Sequence, residues 1–246
     1  MKFSIITPTL NDEGVIARTV RSLDAQDYSR DLMEWILVDG GSKDGTLERV
    51  KGERFHPDVW ESEGNGGFFD ALNRGVAMAT GDVVCFLGAG DRLASRSTLF
   101  RLSGAFVNSG AACVYADWER GVEGAEGFVR RGVVRPGIFY RRSLAWGWFA
   151  PLRTLCVRRE VLLGSVGESG GVFDVALGGG AGLEWGWRLI GRDGVEPAYL
   201  RIPTVQCSGP VERVPGAAVW RALGVSGVGG VLAWLGFQLR GRGGGG

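Results

Sequence analysis

The chain has 246 residues with 28 Lys plus Arg against 27 Asp plus Glu, a formal net charge of +1, so no strong field of either sign points to a nucleic-acid partner. Apolar residues make up 45% and charged residues 22%, an ordinary soluble composition in a chain long enough to bury a substantial core. The single histidine, His56, excludes a histidine-rich zinc site, and four dispersed cysteines (Cys85, Cys113, Cys156, Cys207) with no CxxC pair read as buried reduced thiols of a cytosol-like compartment.

The elements follow in chain order. Phe3 to Thr7 is a β-branched and aromatic run stopped by Pro8, too short for the apolar core of a signal peptide and suited to a buried strand. Val15, Ile16, Val20 and Leu23 share one face of a helix for which Asn11 or Asp12 is a natural N-cap. Trp35 to Val38 is a second buried strand, cut by Asp39-Gly40-Gly41-Ser42, and a short helix begins near Thr46. Val59 to Glu61 is a weaker strand, Phe69 to Ala79 a helix, and Val83 to Leu87 a fourth strand ended by Gly88-Ala89-Gly90-Asp91. This alternation predicts an α/β fold, with a mostly parallel central sheet and helices on both faces. In such sheets ligands bind beyond the carboxyl ends of the strands, so Thr7, Asp39, Glu61 to Glu63 and Asp91 should meet along one edge.

The second half, where the 43 glycines concentrate, carries weaker signals. Leu99 to Val107 is a helix, Ala112 to Trp118 a strand, and Gly121 to Gly132 a hairpin or loop. Thr154 to Val157 runs into a helix, Leu183 to Ile190 is helical, and Ala198 to Ile202 is the last strand. Ala222 to Leu239 is uncharged and rich in glycine. It is at the lower limit of the ~20 residues that span a bilayer, and reads as a core or interfacial helix before a disordered Gly243 to Gly246. The expected division is one domain over 1–210, with a nucleotide-binding half (1–100), an acceptor-side half (101–210) and an apolar tail (211–246).

Two carboxylates carry the chemistry. Asp39, after a buried strand and beside glycines, can accept a hydrogen bond from a nucleobase N–H, although the same position suits a helix-capping aspartate. Asp91 sits in the equivalent place after the fourth strand, where a carboxylate can hold a hard divalent cation or merely close a turn. The run Ile5-Ile6-Thr7-Pro8-Thr9-Leu10-Asn11, then Leu37-Val38-Asp39-Gly40-Gly41-Ser42-Lys43-Asp44-Gly45-Thr46, resembles the family 2 glycosyltransferases of GT-A fold. So do Ser62 to Gly75, Ala79 to Asp82 and Phe86 to Asp91, and the Ser62 to Gly75 block is most similar to a branch that builds bacterial exopolysaccharide, including colanic-acid-type enzymes.

The resemblance implies a Rossmann-like GT-A sheet and transfer of a sugar from a nucleoside-diphosphate sugar to an acceptor hydroxyl, inverting and metal-assisted. It implies that Thr7, Pro8 and Glu13 line the nucleotide pocket, that Asp39 takes the base with Ser42 nearby, and that Asp70 and Asn73 border ribose and diphosphate. Asp91 then corresponds to the last acid of the family's DxD element and binds Mn²⁺ or Mg²⁺, which neutralises charge on the departing nucleoside diphosphate. The implied acceptor is a saccharide or lipid-linked saccharide, and the implied location is the cytoplasm or the inner face of its membrane, with 222–239 in peripheral contact.

The chain departs from the pattern at Gly88, where one acid of that element is lost, at Gly66 in place of a polar residue, and at Asn65 in place of aspartate. A further departure is at the catalytic base. Glu184-Trp185-Gly186-Trp187-Arg188-Leu189 fits the body of the family's late helix, but this registration puts Gly182 at the base position. Glu184 is the preferred substitute, with a pairing to Arg188 as its structural alternative. Asp174 is a second candidate, and an impaired, purely nucleotide-sugar-binding homologue is the rival reading. Trp118, Trp146, Trp148, Phe149, Trp185 and Trp187 suit either a sugar-stacking cleft or, preferentially, core packing. A nucleotidyltransferase is disfavoured by the acidic loop Asp12-Glu13, and a dinucleotide oxidoreductase by the lack of GxGxxG after the first strand.

Overall fold

The computed structural model of the protein describes residues 1–64, 66–125, 127–140 and 150–208. Trp146, Trp148 and Phe149, Asn65 and the tail from 211 lie outside these residues. The first half follows the expected alternation: β1 (Phe3–Thr9), α1 (Ile16–Asp24), β2 (Met33–Asp39), α2 (Thr46–Lys51), β3 (Val59–Ser62), α3 (Gly67–Met78) and β4 (Val83–Phe86). The second half adds β5 (Arg92–Leu93), α4 (Thr98–Ser109), β6 (Cys113–Gly124), β7 (Gly127–Val134), β8 (Cys156–Arg158), α5 (Arg159–Gly164), α6 (Ala181–Trp187) and β9 (Pro197–Cys207). The hairpin alternative holds for 121–132, which β6 and β7 span; both β6 and β9 outrun their expected lengths, and the short β5 had no sequence signal.

One sheet runs through both halves in the order β3-β2-β1-β4-β8-β6-β9-β5, with β7 on β6. β1 to β4 pair in parallel. β8 then inserts antiparallel to both β4 and β6, and β9 runs parallel to β6. Period-two alternation sends successive residues to opposite faces. Phe3, Ile5, Trp35 and Leu37 meet α1 and α4 through Ile16, Val20, Leu99, Leu102 and Phe106. Ile6, Ile36 and Val38 meet α3, α5 and α6 through Leu72, Val76, Leu162 and Trp185. Each buried Leu, Ile or Phe contributes about 1.5–3 kcal/mol, which is why these two strands carry apolar residues on both faces.

The start of α1 differs from expectation. Val15 occupies its N-cap position with no side-chain cap. Asp12 serves through its main-chain carbonyl, which accepts from Val15 and Ile16 N–H at 2.9 Å each, while its carboxylate turns back to Thr9 Oγ1 and Leu10 N at 2.9 Å each. Among the described residues no helix is long and apolar enough to cross a membrane.

At the opposite edge from the strand carboxyl ends, Glu34 joins three segments. It accepts from Ser4 Oγ, from Thr80 N at 2.8 Å and Thr80 Oγ1 at 2.5 Å, and pairs with Lys2 Nζ at 3.4 Å. Burial alone raises its pKa, but the Ser4 and Thr80 hydrogen bonds and the Lys2 charge together hold it below the usual glutamate value. A depressed carboxylate stabilises the fold above its unfolded-state pKa and loses that contribution as pH falls through the folded value. Glu34→Gln is therefore expected to lower stability by about 1–3 kcal/mol near neutral pH, with the deficit shrinking in acid. Urea unfolding of both proteins near neutrality and at about pH 3 measures this; a deficit independent of pH would remove the carboxylate's role.

Candidate active site

Parallel pairing sets Thr9, Asp39 and Ser62 side by side at the carboxyl ends of β1, β2 and β3. Asp39 is fully buried there. Its carboxylate accepts from Ser42 N at 3.0 Å, Gly41 N at 3.2 Å, Ser42 Oγ at 2.5 Å and Ser62 Oγ at 2.6 Å. The β1 and β2 loops are cross-linked above it. Asn11 N donates to Ser42 Oγ at 2.8 Å, Lys43 N to Asn11 Oδ1 at 2.9 Å, and Asp12 N to Thr46 Oγ1 at 2.8 Å. Glu13 and the 44–45 turn exchange two further bonds, Glu13 N to Asp44 Oδ2 and Gly45 N to Glu13 Oε2, both 3.1 Å. Glu13, Asp39 and Ser42 thus belong to one polar cluster, whereas Thr7 is buried beneath it and accepts from Trp35 Nε1 at 3.0 Å.

At the same carboxyl-end rim lies a cavity of about 700 Å³ that Pro8 and Asp91 line, whereas Thr7, Glu13, Asp39, Ser42, Asp70 and Asn73 are not among its described lining residues. It is lined by Pro8, Val15 and Arg18, by the Gly88 to Asp91 turn, by Leu152 and Arg153, by Phe68, Phe69 and Leu183, and by Trp118 and Cys207. Asp91 is the one acidic residue among the described residues of the wall. Burial pushes its carboxyl above the usual aspartate value, while the Arg153 guanidinium, 3.0 Å away, and a bond from the Cys207 thiol pull it back down. Arg18 also faces the cavity and is balanced by Glu123 at 3.0 Å.

The remaining candidates have other partners. Asn73 uses both ends of its amide on the backbone of Phe173, at 2.8 and 2.9 Å, and so ties α3 to the segment before α6. Asp70 lies 3.2 Å from Arg74 Nε, and its carboxyl fills the space over Gly66 where a Cβ would project. Glu184 is absent from the described cavity wall. Both its oxygens bind Arg188, at 2.8 and 2.9 Å, and the buried Arg188 also donates to the carbonyls of Ser165 and Val172. Asp174 accepts from Ala176 N at 3.1 Å as the cap of a 3₁₀ turn. Gly182 does reach the cavity, but a Cβ there would stand 3.2 Å from Phe69 and 3.6 Å from Leu152, an apolar surrounding. Among the tryptophans, Trp185 is fully buried edge-on to Phe86 and Phe173, Trp118 lines the cavity and Trp187 is partly exposed.

Sequence reasoning missed Arg18 and Arg153. Arg18 lies on a helix face read only for its apolar stripe. Arg153 meets Asp91 across 62 positions, through an antiparallel insertion that no local pattern announces.

Comparison with known proteins agrees with this geometry. Residues 4–162 match the family model described as glycosyl transferase family 2. Over 159 residues the chain is 35% identical to a PGL/p-HBAD biosynthesis glycosyltransferase of Mycobacterium bovis, covering 58% of this chain and 60% of that protein. The chain spans between 29% and 60% of the length of such curated relatives. Staphylococcus aureus TarS 1-349 in complex with UDP-GlcNAc has a TM-score of 0.70 at 18% identity, covering 90% of this chain and 64% of that one. Glucosyl-3-phosphoglycerate synthase from Mycobacterium tuberculosis, in complex with Mn²⁺, UDP and phosphoglyceric acid, has a TM-score of 0.58 at 18% identity, covering 92% and 80%. These two likenesses bear on the fold, which is the GT-A arrangement that the sequence resemblance implies. With the family match running from β1 into α5, over more than half of the chain, the protein belongs to glycosyl transferase family 2.

Proposed function

We propose that the chain binds a nucleoside-diphosphate sugar in the cavity beyond the β-strand carboxyl ends and transfers the sugar to an acceptor hydroxyl. The observation that carries this reading is that the cross-linked Asp39 cluster and a 700 Å³ cavity, whose described acidic wall residue is Asp91, share the rim at the carboxyl ends of the parallel strands. A rigid polar cluster suits a nucleobase edge, and a nearby acid suits the diphosphate's counter-cation. Among proteins of similar fold, TarS is in complex with UDP-GlcNAc, and the phosphoglycerate synthase with UDP and Mn²⁺.

In this reading Asp39 accepts from the base, Ser42 and Glu13 hold the loops that frame it, and Pro8 lines the cavity. Thr7 acts from below by fixing Trp35, while Asp70 and Asn73 position α3 along the ribose and diphosphate. A single carboxylate fits Mg²⁺ or Mn²⁺ when the substrate's phosphates and water complete the shell. Asp91 would be the protein ligand, and the ion would supply Lewis-acid stabilisation of the leaving diphosphate. Phe68, Phe69, Trp118 and Leu183 offer an apolar surface for the flat face of a sugar ring. The Ser62 to Gly75 resemblance and the relative named for PGL/p-HBAD biosynthesis support a saccharide or lipid-linked acceptor in bacterial surface glycoconjugate synthesis. An inverting displacement at the cytoplasmic face of the membrane is part of the same proposal.

A second reading, nucleotide-sugar binding without turnover, is favoured by one observation: Gly182 meets the cavity where the family places its base, and Glu184 is held by Arg188. In either reading Asp39→Asn, which keeps the shape and removes the charge, is expected to weaken UDP or GDP binding at least about tenfold, the scale of one charged hydrogen bond. Calorimetric titration measures it, and unchanged affinity would sink the base assignment. Transfer or hydrolysis of a UDP- or GDP-sugar by the wild-type chain separates the two readings. If turnover is present, Glu184→Gln is expected to retain it, because both oxygens serve Arg188; turnover lost with nucleotide affinity kept would instead make Glu184 the base. Glu184→Ala is expected to cost about 3–5 kcal/mol in urea unfolding, since it leaves a buried guanidinium without its counter-charge.

A further inference from the structure

The arginines paired with Glu184 and with Asp91 are used in opposite ways. Arg188 is buried, and its fork is occupied by Glu184 and the carbonyls of Ser165 and Val172. Arg153 is on the cavity wall, with about a quarter of its side chain exposed. Among the described residues, its one hydrogen bond runs from Nη1 to Asp91 Oδ2, which leaves most of its N–H donors open. Its backbone is fixed. The 3₁₀ turn Leu152–Thr154 carries it, and Thr154 Oγ1 donates to the Ala116 carbonyl at 3.0 Å inside the sheet. The guanidinium therefore stands in a preset place beside the acid assigned to the metal.

The rest of the acidic element cannot take over Asp91's part. Gly88 and Gly90 carry no donor, and Gly90 has φ +86° with Val15 3.1 Å from any added Cβ, so an acidic side chain there would be strained. A divalent ion approaching Asp91 without a nucleotide meets one carboxylate already bound to a cation. Entry of a diphosphate reverses that balance, because its several negative charges can engage the ion and the guanidinium together. Arginine's planar fork matches two phosphate oxygens, a geometry that a single bond to Asp91 leaves unused.

We propose that Arg153 is a diphosphate-binding residue held on Asp91 in the free protein: it blocks metal binding until a diphosphate enters, then turns its N–H donors to the phosphates and releases Asp91 to the metal. No covalent bond changes in this step. The inference rests on the reading of the cavity as a donor-diphosphate site.

The test uses the full chain with Arg153→Gln and Arg153→Lys. Titrations of UDP, GDP and inorganic pyrophosphate are followed by calorimetry, and Mn²⁺ binding without nucleotide by electron paramagnetic resonance. Arg153→Gln should weaken diphosphate binding about 10- to 100-fold, the range of a charged hydrogen bond, with Arg153→Lys in between. The same variant should bind Mn²⁺ several-fold more tightly without nucleotide, and adding Asp91→Asn should abolish that gain. The two shifts have opposite signs, which loss of fold integrity does not produce. Equal diphosphate affinity in wild type and Arg153→Gln overturns the inference while leaving the donor reading intact. Arg153-dependent binding of pyrophosphate with no binding of either nucleotide upholds the inference and overturns the donor reading. Wild-type chain that binds none of the three overturns both.

Discussion

Parallel pairing of β1 to β4 is the constraint on which the rest depends. Strands that run the same way end at the same edge, so every connecting loop there projects from one rim of the sheet. The register that aligns Thr9, Asp39 and Ser62 is the same one that buries Ile5, Ile6, Trp35 and Ile36 between helices on two sides. A one-residue slip would reverse both core faces and separate the polar triad. Core packing and site geometry are therefore two consequences of one alignment.

The opposite edge answers to the same alignment. Glu34 ties β1, β2 and the approach to β4 together through Ser4, Thr80 and Lys2, and so closes the amino-terminal rim that faces away from the cavity. At the functional rim, charge is placed differently. Asp39 is satisfied by neutral donors of its own loops, which makes it a rigid feature. Asp91 is held by the Arg153 guanidinium on the cavity wall and by a bond from the Cys207 thiol.

Legibility of the molecule follows from how local its signals are. Strands β1, β2 and β4 could be read because burial on both faces demands continuous apolar runs, and α3 because its apolar spacing is helical. The α1 cap misled because Asp12 offers a backbone carbonyl in place of its side chain, a choice decided by Thr9 and Leu10 nearby. The short β5 had no signal because two residues cannot show a period, and it exists through pairing with β9. Glu184 was read with its i,i+4 partner in view, and spacing on a helix cannot say which side of that helix a cavity lies on.

The sequence by itself determined the fold class, the first four strands along the chain, the family, and the placement of Asp39 and Asp91 in the segments that follow the second and fourth strands, because each depends on neighbours within a few residues or on a motif of fixed spacing. Tertiary structure alone decided which groups share the cavity. The antiparallel insertion of β8 carries Arg153 to Asp91, and the packing of α6 presents Gly182 to Phe69. Those outcomes rest on contacts between residues far apart in the chain, whose side-chain directions are set by packing and not by local pattern.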